Sequence, residues 1–151
     1  MTEFQPVREF HVDDAIALAN ELHAGQLDKS GRPYAGHLER VALRVRRAGG
    51  TWIQEAAAWL HDSIEDTDAG PEYLLGRGVP RLVVEIVFVM THAKGVTNED
   101  YWDSIKAYEP ARLVKLCDIY DNLDPERMCY LDPGTQTRLR TKYARALQVL
   151  A

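Results

Sequence analysis

Apolar residues recur at helical spacing along almost the whole chain. In DDAIALANELHAG (13–25), Ile16, Leu18, Ala19 and Leu22 fall close to one stripe, with Asp13 or Asp14 as N-cap and Gly25 as a stop. HLERVALRVRRAGG (37–50) groups Leu38, Val41, Ala42 and Val45 and ends at two glycines. TWIQEAAAWLHD (51–62) opens on a Thr51 cap, with Glu55 one position past the usual box partner. Its middle is apolar all round, as in a helix buried on most sides. AGPEYLLGRGVP (69–80) predicts a short helix with Pro71 near its first turn. PRLVVEIVFVMTH (80–92) is rich in β-branched residues, but its length and Pro80 at its start predict a helix. TNEDYWDSIKAYE (97–109) and PARLVKLCDIYDNL (110–123) predict a helix pair broken at Pro110. GTQTRLRTKYARALQVLA (134–151) predicts an amphipathic last helix.

These segments predict an all-α bundle of seven to eight helices. With no repeat, hairpin signal or linker, residues 1–151 read as one domain. Composition fits: 46% of residues are hydrophobic and 27% charged, ordinary for a globular protein. A formal net charge of −5 argues against a nucleic-acid partner, whose binding surface calls for a basic excess. LRVRR (43–47) is the densest basic cluster and reads as a solvated helix face. No run reaches the roughly 18 apolar residues of a membrane span. The opening residues lack the layout of a signal peptide. Cys117 and Cys129 read as reduced thiols, which with the missing signal implies a cytoplasmic protein.

One stretch departs from this plain pattern. AAAWLHDSIEDT (56–67) drives an apolar run into His61, Asp62, Glu65 and Asp66. On a helix, His61 stacks with Glu65 and Asp62 with Asp66, on neighbouring faces. Buried carboxylates must be paired, protonated or bound to metal. The C-terminal end of a helix also favours a cation. His37 follows a polar, turn-rich loop (25–36), and Asp118 interrupts the apolar run of RLVKLCDIYDN. His37, His61, Asp62 and Asp118 make a mixed nitrogen and oxygen set suited to Mn, Fe(II), Co or Zn.

Three blocks then carry a resemblance: HAGQLDKSGRPYAGHLERVA (23–42), AAAWLHDSIEDT (56–67) and ARLVKLCDIYDNL (111–123). Together they resemble the HD-domain hydrolases, and most of all the hydrolase half of RelA/SpoT proteins and the small alarmone hydrolases. The likeness spans about residues 8–150. It implies a helical HD-type bundle around one divalent ion, Mn first, held by His37, His61, Asp62 and Asp118. It assigns the catalytic acids to Glu65 and Asp66, and substrate contacts to Lys29, Ser30 and Asn122. The implied activity is removal of the 3′-pyrophosphate from ppGpp, a small-molecule nucleotide. A divalent ion lowers the pKa of water and polarises a phosphoryl oxygen, and an acid one turn away can orient or deprotonate that water.

The chain also departs from the family. Asp28 stands where the alarmone hydrolases carry a loop arginine, and an aspartate facing phosphates would repel them. Leu38 replaces a usual proline, and LDPERM (123–128) replaces a more basic continuation. Two alternatives therefore stand beside ppGpp hydrolysis: an HD phosphatase or phosphodiesterase on another nucleotide, and a metal- or nucleotide-binding sensor without turnover. Among other residues, His23 is expected beside the site, and His11 and His92 at the surface or in caps. Trp52, Trp59 and Trp102 are expected in the core. Tyr120 or Tyr143 could line a purine pocket, and Lys115 could face a phosphate or water.

Overall fold

The computed structural model describes residues 8–151, so most of the opening stretch read above for a leader lies outside the described residues. The helices are α1 (Val12–Leu22), α2 (Ala35–Arg47), α3 (Trp52–Leu60), α4 (Ser63–Asp66), α5 (Pro71–Gly76), α6 (Arg81–Met90), α7 (Asn98–Ala107), α8 (Glu109–Asn122), α9 (Pro125–Met128) and α10 (Pro133–Leu150). Among the described residues the only extended pairing is an isolated antiparallel bridge between Leu27 and Pro33. The all-α expectation is met, and the ambiguous segment at 80–92 is helical. Among the described residues the count is ten rather than seven to eight, because α4 and α9 are four-residue turns too short to show a period.

Two boundaries shift for identifiable reasons. α1 starts at Val12 because the Asp14 carboxylate reaches back to accept from the His11 backbone N–H at 2.8 Å. Asp14 thus acts from inside the first turn rather than as N-cap. α8 starts at Glu109, and Pro110 sits in its first turn, where a missing N–H costs nothing. At α3 the box partner of Thr51 is Gln54: its side chain accepts from the Thr51 N–H at 2.9 Å, while Thr51 Oγ1 accepts from the Gln54 N–H at 3.2 Å.

α3 is the hub, packed against α1, α2, α6 and α8. Ala56, Ala57, Ala58 and Leu60 are fully buried, and the three small side chains let neighbouring helices approach closely. The core is a single apolar cluster that takes residues from α1, α2, α3, α5, α6, α7, α8 and α10. Trp59 and Trp102 belong to it, but Trp52, on the first turn of α3, is 46% exposed.

The α2–α3 turn fixes how the helix bearing His37 meets the helix ending at His61. Gly49 has φ +80°. Its N–H donates to Arg46 O at 3.1 Å, and the Gly50 N–H donates to Val45 O at 2.9 Å. This is the Schellman arrangement, which closes a helix through a left-handed glycine. At Gly50 the reason for glycine is space: a Cβ would stand 2.6 Å from Val45 Cγ1 and 2.9 Å from Val45 O. Gly50→Ala is therefore expected to destabilise the protein by about 1–3 kcal/mol, read as a lowered Tm and a lower urea midpoint. An unchanged Tm would remove this contact from the account of how α2 and α3 are set.

Candidate metal centre

Three helices bring the predicted ligand residues to one point. His37 lies in the first turn of α2, His61 and Asp62 follow the end of α3, and Asp118 lies in α8. The helical path bends there: His61 keeps helical angles, Asp62 takes φ −98° and ψ 2°, and α4 then begins. His37 and His61 are each 2% exposed and Asp118 5%. Asp118 Oδ1 lies 3.0 Å from His37 Nε2 and 3.2 Å from His61 Nε2. Asp62 Oδ2 lies 3.1 Å from His61 Nε2 and 3.9 Å from His37 Nε2.

These spacings test whether one cation fits. Ligands about 2.1 Å from a common ion stand roughly 3.0–3.4 Å apart at right or tetrahedral angles. The observed edges fall in that range, except for the longer one between His37 and Asp62. His37, His61 and Asp118 offer donor atoms that all lie within 4.8 Å of one another. Two imidazoles and two carboxylates suit a borderline divalent ion.

The outer contacts set the imidazoles for that task. His61 Nδ1–H donates to Ala58 O at 2.6 Å, and His37 Nδ1–H donates to Asp121 Oδ2 at 2.7 Å. Both Nε2 atoms are thereby turned towards the carboxylates, where each would carry a proton without an ion and would offer its lone pair to one, as in a carboxylate–histidine–metal arrangement. Asp121, fully buried, also accepts from Arg40 Nε at 3.0 Å and from Arg127 Nη1 at 2.9 Å. Asp118 pairs with Lys115 Nζ at 3.0 Å and accepts from Asn122 at 3.3 Å. The Tyr34 hydroxyl donates to Asp62.

The charges hold one another in place. Burial disfavours ionised Asp118, but the Lys115 and His61 charges outweigh it and hold its carboxyl well below the usual range. Burial acts the same way on Asp62, and the charge and hydrogen bond of His61 bring it down to about 2. His61 is pushed the other way: burial alone would favour the neutral ring, yet Asp62 and Asp118 raise it well above the ordinary histidine value.

Around this cluster lies a cavity of about 260 Å³, lined among others by Lys29, Ser30, Tyr34, Glu65, Asp66, Lys115, Asn122, Lys142 and Tyr143. Glu65 accepts from the His92 backbone N–H. Its carboxyl is raised above the ordinary value by burial and by the Asp62 and Asp66 charges, against the His92 N–H and Lys115. Asp66 accepts from Gln26 Nε2 at 3.1 Å, and Gln26 in turn contacts His23 Nδ1 at 2.7 Å. His23 is thus linked to the site through Gln26.

Of the residues singled out as ligand, acid or substrate contact, all but the buried His61 line the cavity, but several residues behave differently from expectation. Asp28 does not present a free charge to phosphates. Its Oδ1 accepts from the Ser30 N–H (2.9 Å), the Ser30 hydroxyl (2.6 Å) and the Arg32 N–H (3.0 Å), and Oδ2 lies 3.8 Å from Arg127. The Ser30 hydroxyl is committed to that turn. Lys115, left between phosphate and water, is tied to Asp118. His92 is a wall of the cavity, stacked on Tyr101 with ring centroids 4.4 Å apart, rather than a surface residue. Tyr143 lines the cavity, whereas Tyr120 is 52% exposed and lines a separate groove. Sequence reasoning missed Tyr34, Asp121 and Arg127. Asp121 was findable, since it lies one helical turn after Asp118 and shares its face. Arg127 comes from the short α9, which carries no periodic signal.

Asp121→Asn keeps the shape but strips the charge that balances Arg40 and Arg127. Asp121 is buried but Arg40 is 40% exposed, so the loss is that of charged hydrogen bonds and is expected to cost about 1.5–3 kcal/mol, visible as a fall in Tm. A variant as stable as the wild type would show that the network around His37 does not depend on the carboxylate charge.

No family model matches the chain. Sequence relatives nevertheless cover most of it. It is 32% identical, over 79% of its length, to the guanosine-3′,5′-bis(diphosphate) 3′-pyrophosphohydrolase of Aquifex aeolicus. It is 30% identical, over 99% of its length, to a probable GTP pyrophosphokinase of Mycobacterium leprae. A 60-residue segment is 45% identical to a probable guanosine-3′,5′-bis(diphosphate) 3′-pyrophosphohydrolase of Synechocystis. The matches cover only 18%, 19% and 8% of these relatives, so the chain spans less than a fifth of their length. A solved structure, described as a metazoan ortholog of SpoT that hydrolyzes ppGpp and plays a role in starvation responses, superposes with a TM-score of 0.79 at 21% identity. That superposition covers 97% of this chain and 88% of the other. Its likeness is one of fold, and the sequence relatives supply the kinship: the chain belongs to the RelA/SpoT-type branch of the HD-domain family.

Proposed function

We propose that the chain is a metal-dependent phosphohydrolase that removes pyrophosphate from the 3′ position of a ppGpp-like alarmone. The observation that carries this reading is the meeting of two imidazole nitrogens and two carboxylates at the floor of a cavity that also holds Glu65 and Asp66. A purely structural charge cluster has no need of further acids aimed at the same space. Such acids are what water activation requires.

In this reading His37, His61, Asp62 and Asp118 hold one divalent ion, Mn by preference. The ion supplies a lowered water pKa and polarisation of a phosphoryl oxygen. Glu65 accepts the proton of the attacking water. Its proton affinity, raised by burial and by the Asp62 and Asp66 charges, makes it a stronger base than an exposed carboxylate. The His92 N–H fixes the carboxylate while it does so, and Asp66, steadied by Gln26, orients the water from the other side. Asn122, tied to Asp118 and 3.3 Å from the Tyr143 hydroxyl, and Lys115 face the phosphoryl group. Lys29 meets the nucleotide from the loop, while Ser30 shapes the turn that presents it. One domain, a cytoplasmic location, and neither nucleic acid nor membrane as partner complete the proposal. For the last, no helix among the described residues is long and apolar enough to cross a membrane.

A second reading has its own observation: Asp28 puts a carboxylate where the alarmone hydrolases carry a loop arginine, and the Arg32 guanidinium of the same turn is held over Tyr130, which favours another nucleotide as substrate. Mn-loaded protein incubated with ppGpp, dNTPs, cyclic nucleotides and a generic phosphodiester separates the two. The expected outcome is release of pyrophosphate from ppGpp, with Glu65→Gln lowering kcat about 10²- to 10⁴-fold at little change in KM. Turnover confined to another member of the panel would establish the second reading. A Glu65→Gln variant of full activity would remove that residue from the chemistry.

A further inference from the structure

The two acids assigned to the water differ in how they are held. Glu65 accepts from a backbone N–H, that of His92. Asp66 has one side-chain hydrogen bond among the described residues, from Gln26 Nε2 at 3.1 Å, and that bond is exposed to solvent. A lone bond from a flexible side chain in water contributes little, because ordering the side chain costs entropy and water competes for both ends. What fixes Gln26 therefore decides where Asp66 points.

Gln26 is pinned through its backbone and its side chain alike. Gly25, with φ +77°, makes the left-handed turn that brings Gln26 back over the end of α1. The Gln26 N–H then donates to His23 O at 3.0 Å, and its carbonyl accepts from the Tyr34 N–H at 2.9 Å. Its side-chain oxygen lies 2.7 Å from Nδ1 of the buried His23. Donor and acceptor roles follow from the chemistry. A carboxylate only accepts, so Gln26 turns its NH2 to Asp66 and its oxygen to His23, and Nδ1 must carry the ring proton. Nε2 of the same ring is buried and meets no partner among the described residues. A buried nitrogen left unpaired costs stability that an apolar ring would not. The Nδ1–H is the one thing His23 offers here that an apolar ring lacks.

We propose that His23 is a positioning residue for the reaction: its Nδ1–H locks the Gln26 amide, and Gln26 in turn holds the Asp66 carboxylate toward the attacking water. The inference rests on the hydrolase reading above and deepens it. His23 is not among the residues that line the cavity, so it acts only through Gln26. Its buried ring, packed with its centroid 5.3 Å from that of Tyr34, gives an exposed hydrogen bond a fixed origin inside the protein.

The test follows kcat, KM and Tm of the Mn-loaded protein with ppGpp, or with whichever nucleotide of the panel above it turns over. His23→Phe keeps a ring and loses the N–H. It is expected to lower kcat about five- to tenfold with KM and Tm little changed. His23→Asn, whose amide can place an N–H where Nδ1 stood, should recover most of the loss. Gln26→Leu cuts the same chain from its exposed end, and serves if His23→Phe does not fold. It should match the loss in kcat, and the two substitutions together should cost no more than either alone. A lowered Tm with unchanged kcat, losses that add in the double variant, or no recovery by asparagine would assign His23 to packing and overturn the proposal. Crystal structures give a readout independent of turnover: the Asp66 carboxylate is expected to turn away in Gln26→Leu and in His23→Phe, and an unmoved carboxylate would overturn the proposal. A carboxylate that turns away in a protein that hydrolyses no nucleotide would uphold the chain from His23 to Asp66 and sink the hydrolase reading.

Discussion

One carboxylate oxygen, Asp118 Oδ1, stands within 3.2 Å of two imidazole nitrogens inside an apolar core. Leaving water costs an isolated carboxylate several kcal/mol, so the arrangement persists only because every neighbour offsets it. Lys115 binds the other oxygen, Asn122 adds a donor, and Asp121 with Arg40 and Arg127 anchors the far side of His37. Remove the central convergence and these partners become buried charges with nothing to face. The site is thus a network in which the outer members keep the inner ones ionised and aimed.

The fold serves that network by fixing three helix positions. α3 is wrapped on most sides, so its C-terminal end cannot shift without opening the core. α2 is set against it by the Gly49–Gly50 turn, and α8 runs alongside both. His37, His61, Asp62 and Asp118 are therefore placed by rigid helices, which hold a ligand geometry better than loops do. The rest of the cavity wall comes from the 25–34 loop, the short α9 and one face of α10.

What could be read from the sequence follows the same division. Long amphipathic helices announce themselves by period, so the all-α class and the eight longer helices were legible, including 80–92 with its β-branched residues. That His37, His61, Asp62 and Asp118 come together was legible because His61, Asp62 and Asp118 are polar residues set against apolar runs and His37 opens a helix after a polar loop. Two kinds of feature were not. α4 and α9 are too short to carry a period, and the contacts that Asp121 and Arg127 make with His37 and Arg40 join positions far apart in the chain. Asp28 shows the difference most clearly. By residue type it reads as a charge opposed to phosphate, but folded it is the acceptor that shapes its own turn. Trp52 is the converse case: it lies at core spacing, yet its position on the first turn of α3 leaves it half in solvent.

The account stands or falls on whether one cation belongs at the meeting point of α2, α3 and α8. Anomalous diffraction from crystals of the protein grown with Mn addresses this without any assumption about substrate. The expected result is a single strong peak within bonding distance of His37 Nε2, His61 Nε2, Asp62 and Asp118, and its loss in Asp118→Ala crystals. A peak elsewhere, or none at these four residues while the cluster remains intact, would contradict the metal centre and with it the proposed chemistry.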